Sequence, residues 1–130
     1  MNIKFTNIDE EHLKDYLIVT YYIKEITPAK LELVLNKYKR VKSKSEKDEV
    51  QKILIESHLK MSLSIASRYR GAGLSFTGLI KAGNRGLIKA VKKWPENDNE
   101  NFTQFLTWKI EGAIIDELIR SRNKVANKKG

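Results

Sequence analysis

The sequence predicts an all-α protein, and three observations support this prediction. Only two prolines and seven glycines occur among 130 residues, whereas the helix-favouring Lys, Glu, Leu, Ile and Ala are abundant. Apolar residues recur at spacings of three and four, as on one face of a helix. Four of the glycines fall within residues 71–83, which marks the main interruption of this pattern. A chain of this length can bury a sizeable core, so we expect one compact multi-helix domain.

Two helices and a polar turn are predicted at the start of the chain. The first helix spans about 10–25, where Leu, Tyr and Ile recur with helical spacing. Thr27 is placed to cap a second helix over about 28–41, because proline is tolerated in a first turn and Pro28 follows it. Residues 42–48, KSKSEKD, form the most polar stretch. They predict a solvated turn, with a phosphate contact as the alternative.

A long helix is predicted over about 46–70, with room for a kink. Ser45 is its candidate N-cap, and apolar residues continue along one side to Tyr69. His58 lies on this apolar side with no cysteine and no second histidine nearby. A hydrogen-bonded core histidine therefore explains it better than a metal ligand.

The second half of the chain predicts two further helices. One spans about 75–94 and ends before Pro95, and residues 96–100, ENDNE, then form an acidic turn. The other spans about 101–120, with Asn101 at its N-cap. Residues 121–130 are basic and poor in apolar side chains, which predicts a flexible tail.

The helix over 75–94, which Ser75 can cap, has two distinct sides. Asn84 falls within the apolar series, where either a buried, hydrogen-bonded amide or a partner contact would account for it. Basic residues recur on the other side: Lys81, Arg85, Lys89, Lys92 and Lys93. Such a stripe suits phosphate neutralisation, although a solvated charged face has the same pattern.

The last helix also carries two rows of side chains. The row expected to meet the core is Phe102, Leu106, Ile110 and Ala113. The second row is Phe105, Trp108, Gly112 and Ile115. Aromatic residues at helical spacing are commonly core, but exposed aromatics beside Lys109 would form a stacking platform for unpaired bases.

Charge and composition narrow the possible functions. Lys and Arg number 25 against 16 Asp and Glu, a formal net charge of +9 that favours polyanionic partners such as nucleic acid. There is no cysteine, and no apolar stretch has the length needed to span a bilayer, so we expect a cytoplasmic protein. No catalytic triad, metal cluster or paired carboxylates can be placed. We expect neither enzymatic activity nor a cofactor.

Residues 59–120 contain three motifs, YRGAGLSF, GNRGLIKAV and FTQFLTWKI. Together they resemble conserved region 2 of bacterial RNA polymerase sigma factors of the sigma-70 family. ITPAKLEL and ILIESHL resemble the segment that leads into this region, so the resemblance covers about 15–120. The ending GAIIDELIR is closer to flagellar and sporulation-type alternative factors. The resemblance implies a single domain over 1–130, in which helices over 10–58 lead into a region 2-like core.

The resemblance also implies a function and a set of site residues. Factors of this family bind the clamp helices of the largest polymerase subunit and open promoter DNA at the minus-ten element, capturing unpaired bases. They work in the cytoplasm and join the nucleoid when bound to polymerase. The DNA-binding residues it implies are Lys89, Lys93, Trp94, Phe105, Trp108, Lys109, Gly112 and Ile115. Those implied for polymerase core binding are Leu79, Lys81, Asn84, Arg85 and Ile88.

Three aromatic residues receive specific roles from the resemblance. Phe105 matches the tyrosine that stacks on a flipped adenine, and Trp108 matches the first of two tryptophans at the upstream fork. Trp94 matches the phenylalanine beside the adenine pocket. A Phe105→Ala change is then expected to weaken binding to forked DNA without unfolding the protein.

The sequence departs from the family pattern at several positions. Where the family has LDLIQEGN, this chain has TGLIKAGN, and the second tryptophan is Lys109. Positions that read duplex bases in primary factors carry Gly112, Ile115 and Asp116. We expect no counterpart of the later helix-turn-helix domain, which reads the minus-thirty-five element. Three alternatives to a standalone initiation factor follow: a split factor with a second protein, a non-initiating regulator that occupies the polymerase, and a basic DNA-binding module unrelated to polymerase.

Overall fold

The computed structural model describes residues 6, 8–97 and 100–129, without the side chains of 97 and 127–129. In these residues the chain is all-α, as predicted, with no strand. The six α-helices are α1 (Leu13–Tyr21), α2 (Pro28–Arg40), α3 (Lys44–Glu56), α4 (Leu59–Ser67), α5 (Phe76–Lys93) and α6 (Phe102–Lys129). Short 3-10 helices span Glu10–His12 and Trp94–Asn97. Residues 98 and 99 of the predicted acidic turn and residue 130 of the predicted tail lie outside the described residues.

Side-chain caps fix where most of these helices begin. Thr27 accepts a hydrogen bond from the Lys30 amide, and Ser75 accepts one from the Gly78 amide, as predicted. Asn101 Oδ1 accepts from the Gln104 amide at 3.0 Å. The cap of α3 is Ser43 instead of the predicted Ser45, so α3 begins two residues earlier than expected.

The long helix predicted over 46–70 is two helices, broken at Ser57 and His58. The His58 ring nitrogen Nδ1 lies 2.7 Å from the Leu54 carbonyl oxygen and competes with the backbone for this acceptor. His58 is buried, which agrees with the prediction of a core histidine. Desolvation by this burial lowers the pKa of His58, while the Leu54 carbonyl and Glu25 act in the opposite direction.

Helix α5 lies at the centre of the core, packed against α3, α4 and α6. Leu79, Ile80, Leu87 and Val91 are fully buried along it. Asn84 is also buried: its Oδ1 accepts a hydrogen bond from Ser62 Oγ at 2.9 Å, and its Nδ2 donates to Tyr16 Oη at 2.8 Å. Asn84 therefore ties α1 and α4 to α5, which confirms the structural alternative for this residue.

The pair formed by α2 and α3 is hydrogen-bonded to the C-terminal end of α5 through one tyrosine. Tyr38 is buried, and its hydroxyl donates to the Val91 carbonyl oxygen at 2.7 Å. Gln51 Nε2 donates to the same hydroxyl at 2.9 Å. Val50 and Leu54 of α3 are buried as well, and α3 packs against α5.

Helix α6 continues about two turns beyond the predicted end and is 28 residues long. Residues 121–129, predicted to form a flexible tail, are helical in the structure. Residues 113–129 contain neither glycine nor proline, so nothing in the sequence stops the helix. The buried row is Phe102, Leu106, Ile110 and Ile114, with Ile114 in place of the predicted Ala113.

The end of α1 differs from the expected apolar face. Tyr21 and Tyr22 belong to the series that predicted the first helix, yet 70% and 78% of their surfaces are exposed. Their rings contact each other edge to face at a centroid distance of 5.2 Å.

Among the described residues, no helix combines the length and apolarity required to cross a bilayer.

Candidate nucleic-acid interface

A groove runs between the C-terminal half of α5 and the N-terminal half of α6. Its volume is about 530 Å³. Six of the eight residues predicted to bind DNA line it: Lys89, Lys93, Phe105, Trp108, Lys109 and Gly112. We call it the α5–α6 groove. The structure thus brings together residues that are up to 23 positions apart in the sequence.

Glycines in α5 allow the two helices that form the groove to approach closely. A Cβ atom at Gly86 would lie 2.7 Å from the Lys109 carbonyl oxygen and 2.8 Å from the Ala113 Cβ. A Cβ at Gly83 would lie 3.3 Å from Cδ1 of Ile114 on α6, and 3.0 Å from Ser62 Oγ on α4. Because real Cβ atoms need more room than this, glycine is required at Gly86 for α5 and α6 to cross at this distance.

Phe105 is buried, so of the two alternatives for the second row of α6, a core position applies to this residue. Only 3% of its surface is accessible. Its ring packs against Trp94 at a centroid distance of 5.5 Å, and the Lys109 ammonium lies 5.6 Å from the ring centroid. The apolar face of α6 is wide enough to include Phe105 as well as Phe102 and Leu106. Phe105 therefore forms a wall of the groove and belongs to the core at the same time.

Trp94 lies behind Phe105 and is also buried. It contacts Phe102 edge to face at 5.0 Å. Its indole Nε1–H has no hydrogen-bond partner among the described residues. In this conformation Trp94 supports the aromatic wall, and a base could reach it only if Phe105 or its neighbours moved.

Trp108 is the aromatic residue that the groove exposes. More than half of its surface, 57%, is accessible, and it lies one helical turn after Phe105. An exposed indole of this size is unusual in a core helix and offers a flat face for stacking. Of the two aromatic residues in this row, Trp108 is the exposed one and Phe105 is a core residue.

The charges around Trp108 are mixed, with cations in excess. Lys89, Lys93 and Lys109 line the groove, against the carboxylates of Glu100 and Asp116. Lys89, Lys93 and Lys109 are all exposed. Ile115 is exposed as well, but it does not line the groove, although the next residue, Asp116, does.

The residues predicted to bind the polymerase core fall into two groups. Lys81 and Ile88 are half-buried and Arg85 is exposed, so all three reach the surface of α5. Arg85 also forms an ion pair with Glu117 of α6, with a nitrogen-oxygen distance of 3.8 Å. Leu79 and Asn84 are buried, so a direct contact of either residue with a partner is ruled out in this conformation.

Sequence reasoning missed several residues that shape this surface. Gly86 sets the helix crossing, and Glu100 places a carboxylate at the rim of the groove. The repeated glycines of GNRG were a signal for close packing, but their spacing alone does not identify the facing helix. Among the described residues, no group of three or more His, Cys, Asp or Glu side chains is arranged to hold a metal ion.

The fold and the groove define an all-helical protein with an exposed indole and a lysine-rich surface, a combination used to bind single-stranded nucleic acid. The family model described as Sigma-70 region 2 matches residues 54–124. This is more than half of the chain, so the chain belongs to the sigma-70 region 2 family, as its motifs indicated.

The chain is 45% identical over 67 residues to the RNA polymerase sigma factor SigA of a Bacillus species. The match covers 52% of this chain and 18% of that relative. The chain therefore spans less than a fifth of the relative's length.

Proposed function

We propose that this chain is a transcription initiation factor that binds the core RNA polymerase and holds open promoter DNA at the minus-ten element. Its role is one of binding, without catalysis of its own. It acts where the polymerase acts, in the cytoplasm and on the nucleoid. The observation that carries the proposal is the exposed Trp108 in the lysine-lined α5–α6 groove of a sigma-70 region 2 protein.

The geometry gives the groove residues separate tasks. Trp108 stacks on a base at the boundary between paired and unpaired DNA, which requires only an accessible π-face. Lys89, Lys93 and Lys109 attract the phosphates on either side. Phe105 supports the side of the groove beside Trp108, because it is buried and packed on Trp94. The polymerase meets the outer face of α5, where Lys81, Arg85 and Ile88 are accessible.

A Trp108→Ala variant tests the stacking role directly. Loss of one base-stacking contact weakens binding by about 1–3 kcal/mol. We therefore expect the affinity of the factor with core polymerase for a forked minus-ten probe to fall by roughly 5- to 150-fold. Binding is measured by fluorescence anisotropy. Trp108→Phe keeps a ring and is expected to retain part of the affinity.

An Ile119→Ala variant is the matched control. Ile119 is 53% exposed on the same helix but does not line the groove. Its loss removes a similar exposed apolar group and should leave the affinity for forked DNA unchanged. If Trp108→Ala binds the forked probe as tightly as the wild type, the groove does not stack bases and the proposal is wrong.

A non-initiating regulator is the second candidate, and the composition of the groove favours it. The Asp116 carboxylate lines the groove at a position that reads duplex bases in primary factors, and Gly112 offers no side chain for such contacts. Run-off transcription separates the two candidates. An initiation factor supports transcripts from a minus-ten promoter, whereas a regulator binds the core and suppresses transcription by another sigma factor. Transcripts that appear only after a second protein is added would indicate a split factor.

A further inference from the structure

The turn between α2 and α3 carries a dense cluster of cations. Residues 37–47, KYKRVKSKSEK, contain six cations and a single carboxylate, and they supply more than half of the formal net charge of +9. We call this segment the basic turn. It lies outside the α5–α6 groove, and the groove's proposed function leaves its charge unexplained.

Five of the six cations of the basic turn have no carboxylate partner among the described residues. Lys37, Arg40, Lys42, Lys44 and Lys47 are exposed, and none forms a salt bridge with a described residue. Elsewhere, Arg68 and Arg85 each have a carboxylate partner on α6. The basic turn therefore presents its positive charge to an external partner.

Helix electrostatics explain only half of this cluster. Lys37 and Arg40 lie in the last turn of α2, where the helix dipole favours cations. Lys44 and Lys47 lie in the first turn of α3, where the same dipole disfavours them. A cation at this position costs some helix stability, which indicates a role other than folding.

The basic turn is connected to the groove through buried contacts. Tyr38, inside the turn, donates its hydroxyl hydrogen to Val91 near the end of α5. Lys39 and Trp94 line one cavity of about 550 Å³, and Trp94 packs directly on Phe105 of the groove wall. The basic turn therefore lies near the C-terminal end of α5, on the side of the groove that Lys93 lines.

We propose that the basic turn binds the sugar-phosphate backbone of DNA that extends past the Lys93 end of the α5–α6 groove. The inference rests on the proposed function, since it assumes that DNA occupies the groove. A protein partner fits less well, because lysine is depleted in protein interfaces and such interfaces need an apolar centre. The apolar residues of the turn are turned inward: Tyr38 is buried and Val41 is half-buried.

A pair of charge variants tests the inference. Lys42→Gln/Lys44→Gln removes two cations from the basic turn, and Lys14→Gln/Lys24→Gln removes two exposed cations from the α1 region. Binding to DNA is titrated over a range of salt concentrations with the full chain. The slope of log K against log salt changes by about 0.9 for each duplex phosphate contact and about 0.7 for each single-strand contact. We expect the first variant to flatten the slope by roughly 1.4–1.8, and the control to leave it unchanged.

Two forked probes identify the form of DNA at the turn. One extends from the fork as a duplex and the other as a single strand, and the change in slope should appear on the probe whose extension reaches the turn. An unchanged slope on both probes overturns the inference, as does wild-type protein that shows no DNA affinity at low salt. Loss of core polymerase binding with an unchanged DNA slope would also overturn it, since the turn would then contact protein.

The same titration separates this inference from the proposed function. Trp108→Ala is expected to reduce the preference for forked over fully paired DNA and to keep the wild-type salt slope. Lys42→Gln/Lys44→Gln is expected to keep that preference and to lose slope. If Trp108→Ala behaves as expected while the turn variant is silent, only the inference about the turn fails.

Discussion

The α5–α6 pair and the α2–α3 pair are both formed by two helices, but they are held in different ways. The first pair is joined by a glycine crossing at Gly86 and by a continuous apolar seam that includes Phe105 and Ile110. The second is attached through Tyr38 and a few buried residues of α3, and most of its surface is charged and exposed. In a binding surface formed by α5 and α6, some residues also belong to the core, so their substitution changes stability. In a binding surface formed by α2 and α3, charged residues can be substituted with little loss of stability.

The largest effect that distinguishes the two kinds of surface is expected at Phe105. Truncation of a buried Phe to Ala removes its packing and leaves a cavity, so Phe105→Ala should lower the free energy of unfolding by about 3–5 kcal/mol. Trp108→Ala, in the same groove but exposed, should change it by roughly 0.5 kcal/mol or less. Urea denaturation followed by circular dichroism measures both. Equal stability of the two variants would contradict the placement of Phe105 in the core.

This expectation replaces the one drawn from sequence, in which Phe105→Ala spared the fold. Reduced DNA binding by this variant would therefore be ambiguous unless its folded fraction is measured first. Trp108 is the better probe of function because its loss leaves the core intact.

Two glycines give the next largest difference. Gly86→Ala places a methyl group against the backbone of Lys109, and overpacking of this kind costs about 1–3 kcal/mol. Gly112 has nothing within 4 Å of its would-be Cβ, so Gly112→Ala should stabilise α6 by about 0.5–1 kcal/mol. Thermal unfolding of the two variants should shift the midpoint in opposite directions. A stabilised Gly86→Ala variant would show that the helices can move apart without penalty.

The smallest effect is expected where α2 and α3 meet α5. Tyr38→Phe removes one hydrogen bond to the Val91 carbonyl and leaves Gln51 without its acceptor. The net loss is about 1 kcal/mol, since the ring still packs in its site and the Val91 carbonyl keeps the Trp94 amide as a donor. Native-state hydrogen exchange should show faster exchange in α2 and α3 with little change in α5. Uniformly faster exchange throughout the chain would mean that the two pairs unfold as one unit.

Sequence reasoning predicted the helical class, five helical segments and most of the groove lining, because periodicity and caps are local signals. Thr27, Ser75 and Asn101 confirm this at three helix starts. Sequence reasoning failed where a tertiary contact determines the local structure. The break at His58 depends on a side chain that competes for a backbone carbonyl, and no apolar pattern records this.

The candidate site shows the same difference between what local sequence signals predict and what tertiary packing determines. Phe105 and Trp108 share one row of α6 in the sequence pattern, yet they differ in exposure because Trp94 packs against Phe105 while Trp108 stays uncovered. Similarly, Leu79 and Asn84 belong to the motif that indicated a polymerase contact, but the packing of α4 and α6 on α5 buries them. Resemblance assigns a role to a position, whereas only packing shows whether its side chain is accessible.

Because α6 is one unbroken helix, it fixes the distance between the residues along its length. At 1.5 Å per residue, Arg122 stands about 21 Å from Trp108 along the helix axis, roughly six base steps of duplex DNA. A base stacked on Trp108 and a phosphate bound by Arg122 would both be held by this one rigid helix. The second contact would then require no further ordering of the protein, and its effective concentration would depend only on the shape of the DNA.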